Sequence, residues 1–585
     1  MFKRLIPYFL LFTIALIPRF ISLGTVPASL SHDEVDLIIQ AHSVKLTGHD
    51  LSGTWSPWFL LPNDAVMAEL GPIINLPALS LLPNTLWSAH VTSAILGSLY
   101  VVIIVLLLLS WGMPSSVAWL SGFLLALSPW HILFSRTTLE QPTSLFFYTL
   151  SWLSLSTLFN AKNNKTFFLS TFYFTICYLL GFYTYHGYKF ALPLLTLIVT
   201  VFNYVRSRQE KRGYILTMII LIIGSFYLRT YLYQDSYISR QSEIVFLDKS
   251  KFIKEVDTNR SINLLPPKIN ELLTNKPQAM LSYAAKKYLS ILSPTQLFMT
   301  GEKNGVFATG RTGYLYLFLL PFVLIGFVTM LASAKKIDLL ILCLLTLSPL
   351  ATILHNNDSF AFRSGIFIVL LTITASIGIV YLNKQFPKFK ITVAAMFLTV
   401  ISFMHFSYVY IGYYPVESAR AYFFHDRILA TYLSHRGDEK ILVIDPQPRY
   451  IMSYLVLTND TVTNDTIKPL ISNYSVSEEK NIYQLGNLTI RRDCPDDLRT
   501  YTTIVVDSTL EASLSKCSVF KELSSPHTIR KIADPVDSGG NKIIYNDQVC
   551  SDVTLPRYLN LTGINSFALQ EMSRVQFCSS WIIEN

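Results

Sequence analysis

The sequence predicts a polytopic α-helical membrane protein with a soluble α/β domain at its C-terminal end. Three observations predict it. Hydrophobic residues make up 51% of the 585 positions and charged residues only 15%, with a mean hydropathy of +0.40, where a soluble chain carries about 25% charge. Apolar runs of the roughly 20 residues needed to cross a bilayer recur up to residue 412. Beyond that point the apolar runs shorten, and four of the six cysteines fall there.

About eleven spans are expected: roughly 5–23, 87–110, 114–131, 141–160, 166–184, 190–205, 214–233, 313–333, 337–355, 365–383 and 391–411. Lys3 and Arg4, Lys162 and Lys165, Arg206 to Arg212, Lys335 and Lys336, and Lys384 to Lys390 all fall on one side of such a bundle. The positive-inside rule makes that side cytoplasmic. An odd number of spans then puts the C-terminal segment outside the cytoplasm. The start of the chain also has the form of a signal peptide, ending near Val26–Ala28. Arg19 within the run, and the parity of the spans, weigh against cleavage.

Two long loops join the spans on the extracytoplasmic side, 24–86 and 234–312. The first holds WSPWFLLP (Trp55 to Pro62), of interfacial character, and AELGPIINLPAL (Ala68 to Leu79), which reads as a short helix lying on the membrane. The second is amphipathic around AMLSYAAKKYLSILS (Ala279 to Ser293). Residues 1–412 form the expected membrane domain and 413–585 the soluble one. In the latter KILVID (Lys440 to Asp445) and TTIVVD (Thr502 to Asp507) read as buried strands ending in a carboxylate, with a helix over Ala421 to Leu433 before the first. Asn459, Asn464, Asn473, Asn487 and Asn560 begin N-x-S/T triplets, which matter only in a cell that modifies them. Cys177 and Cys343 lie in apolar runs. Cys494, Cys517, Cys550 and Cys578 suit disulfides in an oxidising compartment, in any of three pairings. Zinc fits less well, because no CxxC spacing accompanies them. The net charge of +9 is distributed as membrane topology requires, and no nucleic-acid-binding module is recognisable.

The chemistry-bearing residues gather at the extracytoplasmic span ends. Asp33 and Glu34 follow the first span in SHDEVD (Ser31 to Asp36). A carboxylate at a membrane surface can take a proton from a hydroxyl or hold a divalent cation; the same residues also suit the capped start of a helix. Glu69 reads as a site residue or as the polar face of an amphipathic helix. Arg136 and Glu140, four apart, read as an ion pair on one helix face or as functional groups. Tyr183, Tyr185, His186, Tyr188 and Lys189 cluster in GFYTYHGYKF; their rings suit an aromatic belt, while Lys189 departs from the charge bias and calls for an anionic partner. Arg311 and Arg363 are similar cases. Such cations bind lipid phosphates or simply meet headgroups.

Taken in order, these segments resemble the polytopic glycosyltransferases that use polyprenyl-phosphate sugars, the GT-C fold. That group includes protein O-mannosyltransferases, aminoarabinose transferases of lipid A, and relatives described as dolichyl-phosphate-mannose-protein mannosyltransferase-like. The resemblance rests on RFISLGTVPASLSHDE (Arg19 to Glu34), AELGP (Ala68 to Pro72), the Ser-Pro-Trp-His to Glu stretch (Ser128 to Glu140), YTYHGYK (Tyr183 to Lys189), YLSILSPTQLFMTG (Tyr288 to Gly301), GYLYLFLLP (Gly313 to Pro321) and the loop from His355 to Arg363. The relatives often have Arg-Glu-Pro near Glu69 and Arg in place of Lys189.

The resemblance implies inverting transfer of a sugar from a polyprenyl-phosphate donor to a protein, lipid or glycan hydroxyl outside the cytoplasm. Asp33 is then the general base with Glu34 beside it, Lys189, Arg363 and Arg136 meet the phosphate, and Glu69 and Glu140 orient the sugar. Tyr185, His186 and Arg311 complete the expected substrate-binding set. No cofactor is assigned; a divalent cation on Asp33 and Glu34 is left open. Membrane lipids are the other expected partner, and nucleic acid is not one. A lipid-linked-sugar transporter would hold its charges near the bilayer midplane, and an envelope scaffold would not need the ordered acidic and basic loops.

Overall fold

The computed structural model describes most of residues 2–207, 249–458 and 473–584. Outside the description lie 54–67, 356–358, 511–528, 537–539, all but isolated positions of 208–248 and 459–472, and a few single residues. The expected span at 214–233, the WSPWFLLP stretch, Asn459, Asn464, Cys517 and Asn560 fall wholly or largely there.

The helices run α1 (Phe2–Phe20), α2 (His32–Thr47), α3 (Gly71–Leu81), α4 (Leu86–Ser110), α5 (Ser115–Ala126), α6 (Pro129–Phe134), α7 (Glu140–Phe159), α8 (Asn164–Thr184) and α9 (Tyr188–Ser207). After the second long loop's α10 (Lys249–Ser261), α11 (Pro267–Leu273) and α12 (Lys276–Ile291) come α13 (Leu320–Ser333), α14 (Lys336–Leu347), α15 (Gly365–Gln385) and α16 (Ile391–Gly412). Among the described residues five helical stretches are long and apolar enough to cross a membrane: 86–110, 164–184, 336–353, 365–385 and 387–412. Shorter apolar helices accompany them at 5–20, 115–126, 191–207 and 317–333. The expected span at 114–131 is split. The run 114–131 breaks at Leu127–Ser128, because Pro129 has no N–H to continue the ladder and restarts the chain as α6.

A close crossing joins α13 and α15. Glycines make it: a Cβ on Gly326 would lie 2.0 Å from the Thr374 carbonyl oxygen, and one on Gly378 would lie 2.1 Å from that of Phe322. Small residues let helix backbones approach where lipid offers no hydrophobic drive.

Among the described residues the C-terminal part is a seven-stranded mixed sheet in the order β2-β3-β1-β4-β6-β5-β7. Its strands are β1 (Ile441–Ile444), β2 (Ile482–Leu485), β3 (Leu488–Arg491), β4 (Thr503–Asp507), β5 (Ile529–Ala533), β6 (Gly540–Tyr545) and β7 (Ile582–Glu584). β1 pairs in parallel with β3 and β4, and its run ILVI is buried throughout, as a central strand covered on both faces requires. Helices α17 (Phe424–Ser434), α18 (Pro448–Thr458) and α19 (Tyr474–Lys480) and the terminal α20 (Arg574–Trp581) cover it. Cys550 and Cys578 form a disulfide, Cys494 is also disulfide-bonded, and Cys177 and Cys343 are free.

The sheet's apolar core takes in part of the first long loop. Val35, Ile38 and Ile39 of α2 pack in one cluster with Phe424, Ile428, Val443 and Trp581. Helix α2 therefore lies under the sheet domain and over the helix bundle.

Replacing Gly378 with Val should force α13 and α15 apart. The expected loss is about 1–3 kcal/mol of overpacking strain, seen as a lowered melting temperature in detergent, while Ala at the non-contacting Gly412 should be near neutral.

Candidate functional site

The chemistry-bearing loops meet at one end of the bundle. Glu34 shows how. Its side chain is fully buried. The Ser31 N–H and hydroxyl each donate to Oε2 at 2.9 Å, closing a capping box at the start of α2. The Thr138 N–H donates to Oε1 at 2.6 Å, and His90 Nε2 lies 3.4 Å from the same oxygen. The cap expected from SHDEVD therefore forms, with Glu34 as its acid. Asp33, one residue earlier, is exposed. Glu34 is thus engaged by the cap, while Asp33 is open to the surface. Among the described residues no group of three or more His, Cys, Asp or Glu side chains is placed to hold a metal ion.

Arg136 is buried beside this junction. Its guanidinium donates to the carbonyls of Pro18 (2.9 Å), Ile21 (2.7 Å) and Val26 (2.7 Å) and stands 5.3 Å from the centre of the Tyr410 ring. It does not share a helix face with Glu140, because the chain leaves α6 at Phe134 and re-enters a helix only at Glu140. Glu140 instead accepts from the Ala68 N–H at 3.1 Å and lies against Gly71, where a Cβ would come within 2.2 Å of Oε1.

Below Arg136 a cavity of about 460 Å³ runs between α1, α5 and α16. Ile14, Ile17, Phe123 and Phe403 line it, with Arg136 and Tyr410 at its polar end.

Lys189 meets Glu69. Its ammonium donates to both carboxylate oxygens, at 2.8 and 2.7 Å, and both side chains are fully buried. Phe182 and Tyr183 stand 5.5 and 5.7 Å from the ammonium. The anionic partner that Lys189 called for comes from the chain itself. Tyr185 and His186 are buried beside it, with the Tyr185 ring against Tyr188 and Phe362. Arg311 is exposed and forked onto Glu417, its Nε 2.9 Å from each carboxylate oxygen, over the ring of Tyr413 at 4.2 Å.

Arg363 closes a one-turn helix, Phe360–Arg363, and is half-buried. Its neighbour Glu302, which sequence reasoning missed, accepts from the Ala361 N–H at 2.6 Å. Burial raises the Glu302 carboxyl from its ordinary 4.5 to about 7, against the pull of that N–H, Tyr314 and Arg363. Nothing in the local sequence MTGEKNG distinguishes it from a surface acid.

The sheet domain supplies residues that the sequence did not connect with Asp33. His32 is sandwiched between the rings of Phe423 and Tyr450, with centroids 3.3 and 3.5 Å away, and its Nε2 is 3.6 Å from Asp426. Phe423 reaches it from a left-handed backbone conformation, φ +48°, which a bulky residue adopts only when its surroundings demand it. Arg449 pairs with Asp36 on the same helix and with Glu478, 3.0 Å away. Behind these, Lys542 pairs with Asp445, with Asp507 at 2.8 Å and with Asp426 at 3.3 Å. Burial alone would lower the Lys542 pKa; the three carboxylates outweigh it and raise it. Asp445 and Asp507 are the strand-end acids anticipated from the sequence.

Two measurements follow. Lys189→Met leaves the buried Glu69 charge unpaired, and should cost about 3–5 kcal/mol of stability, largely recovered in a Glu69→Gln/Lys189→Met double variant, as read by thermal unfolding in detergent. Glu302 has a folded-state pKa above its unfolded value, so the folded state holds the proton more tightly between pH 4.5 and 7. Its contribution to stability should fall as pH rises through that window, and Glu302→Gln should flatten that part of the stability profile.

No family model matches the chain, and no curated protein matches it. Solved structures do. The archaeal oligosaccharyltransferase AglB from Archaeoglobus fulgidus, in complex with an inhibitory peptide and a dolichol-phosphate, is similar over 92% of this chain and 74% of its own, at 11% identity and a TM-score of 0.44. ArnT from Cupriavidus metallidurans bound to undecaprenyl phosphate is similar over 92% and 98%, at 10% identity and a TM-score of 0.42. The S. cerevisiae protein O-mannosyltransferase Pmt1-Pmt2 complex bound to the sugar donor is similar over 39% and 34%, at 18% identity and a TM-score of 0.29.

Proposed function

We propose that this chain is a membrane glycosyltransferase that moves a sugar from a polyprenyl-phosphate donor to a hydroxyl acceptor at the Asp33 end of the bundle, on the extracytoplasmic face. The observation that carries this reading is the apolar cavity between α1, α5 and α16 with a guanidinium at its polar end. An isoprenoid chain fits such a cavity, and Arg136, held by carbonyl oxygens, keeps its positive charge for a phosphate at the cavity mouth. Asp33 is an exposed carboxylate on the same side of the bundle.

In the reaction the acceptor oxygen attacks the anomeric carbon from the face opposite the phosphate. The bond from that carbon to the phosphate oxygen breaks, and its electron pair leaves with the polyprenyl phosphate. The acceptor proton passes to Asp33. A phosphate leaving group needs little protonation, so an aspartate of ordinary acidity suffices. Glu34 acts on Asp33 from behind by fixing the first turn of α2. Arg363 completes the cationic side of the phosphate site, and the Glu69–Lys189 pair with Glu140, Tyr185 and His186 shapes the sugar side. Arg311, forked onto Glu417, belongs to the rim. Residues 1–412 carry the chemistry, and 413–585 cover the site and shape acceptor access.

The test is transfer from a panel of polyprenyl-phosphate sugars in purified membranes, with products identified by mass spectrometry. Asp33→Asn should lower turnover by about 10²–10⁴-fold at normal membrane levels. Unchanged transfer in that variant would remove Asp33 as the base, and no product from any donor would overturn the reading.

A further inference from the structure

The second long loop has a feature that transfer does not use. Helix α12 has two apolar faces. On one, Ala279, Lys287 and Ile291 are buried against the protein. There Tyr283 donates through its hydroxyl to the His355 carbonyl at 3.3 Å, and the Lys287 ammonium donates to the same carbonyl and, at 3.1 Å, to the Tyr283 hydroxyl. On the other face Leu281, Ala285 and Leu289 recur every four residues and are exposed, Leu281 by 72%. Two residues along a helix turn it by about 200°, so this stripe looks away from the protein. Ser282, Lys286 and Ser290 border the stripe. The segment before it also exposes apolar residues: Ile262, Leu264 and Leu272, Leu264 fully.

A stripe of leucines in water is unfavourable and marks a contact. Charge identifies the contact. Between Lys249 and Ile291 there are eight Lys or Arg side chains against three Asp or Glu, a net charge of +5. Leucines outward, with Lys286 beside them on its long apolar stem and a net positive charge along the segment, is the pattern of a helix lying in a membrane interface. The chain later returns to an apolar helix, α13, at Leu320.

We propose that α11 and α12 lie on the membrane surface at the Asp33 end, with the exposed leucines among acyl chains and the lysines of this segment on anionic headgroup phosphates. Because α12 holds the His355 carbonyl, the lipid seat also fixes the base of the loop that ends in Arg363. The proposal does not depend on the transfer reaction.

The test uses full-length protein with Cys343→Ala, carrying Leu281→Cys or, separately, Leu289→Cys, labelled with a small fluorophore and reconstituted in nanodiscs. Lipids brominated on their acyl chains should quench the label at least ~2-fold, and aqueous iodide should quench it little. Adding phosphatidylglycerol to phosphatidylcholine should deepen the quenching, and Lys268→Gln/Lys276→Gln/Lys286→Gln should abolish that increment. A label open to iodide and blind to brominated lipid overturns the proposal. So does a label shielded from both, which would mean that protein, a second copy or another chain, covers the stripe. Equal quenching with and without phosphatidylglycerol overturns the headgroup half of it.

Discussion

A carboxylate with no access to water must find its hydrogen bonds inside the protein, and Glu34 finds one of them 104 residues away in sequence. One oxygen closes the cap of α2 on Ser31; the other holds the Thr138 N–H beside His90. Leaving such a group unsatisfied is costly, so this junction defines how the first loop sits on the bundle. The direction of Asp33 follows from it. With Glu34 turned inward at the first turn of α2, its neighbour is left facing water.

The positive charges at this end obey a second constraint. A buried cation needs compensation, which takes different forms here. Lys189 takes a full carboxylate, Glu69. Arg136 takes three backbone carbonyls, whose dipoles stabilise the guanidinium without cancelling its charge. Arg311, in water, takes Glu417, where screening leaves the pair worth little. That difference, invisible in a count of basic residues, separates the cation at the polar end of the apolar cavity from those already neutralised.

The sheet domain ties these parts together from above. It grips α2 on either side of Asp33, through the rings of Phe423 and Tyr450 on His32 and through Arg449 on Asp36. Asp426, next to His32, is in turn held by Lys542 among the strand-end acids Asp445 and Asp507. A shift of the sheet would move the first turn of α2, so the domain has a mechanical hold on Asp33 even though it shares no motif with the loops of the bundle.

Periodicity and composition determined much of this protein. Apolar runs marked most of the helices, because a span must bury or expose its own full length of apolar residues whatever its neighbours do. The runs ILVI and TIVVD marked β1 and β4, because central strands are covered on both faces. Ser31 and Glu34 marked the start of α2, because a capping box is a contact across three residues. The pairs that decide the site were not legible: Glu69 with Lys189 is 120 residues apart, and His32 with Asp426 almost 400. Nor did the spacing of Arg136 and Glu140 imply a common face, since the helix breaks between them. Charge pairing and burial depend on which loops meet, and only the packing of the helices and the seating of the sheet decided that.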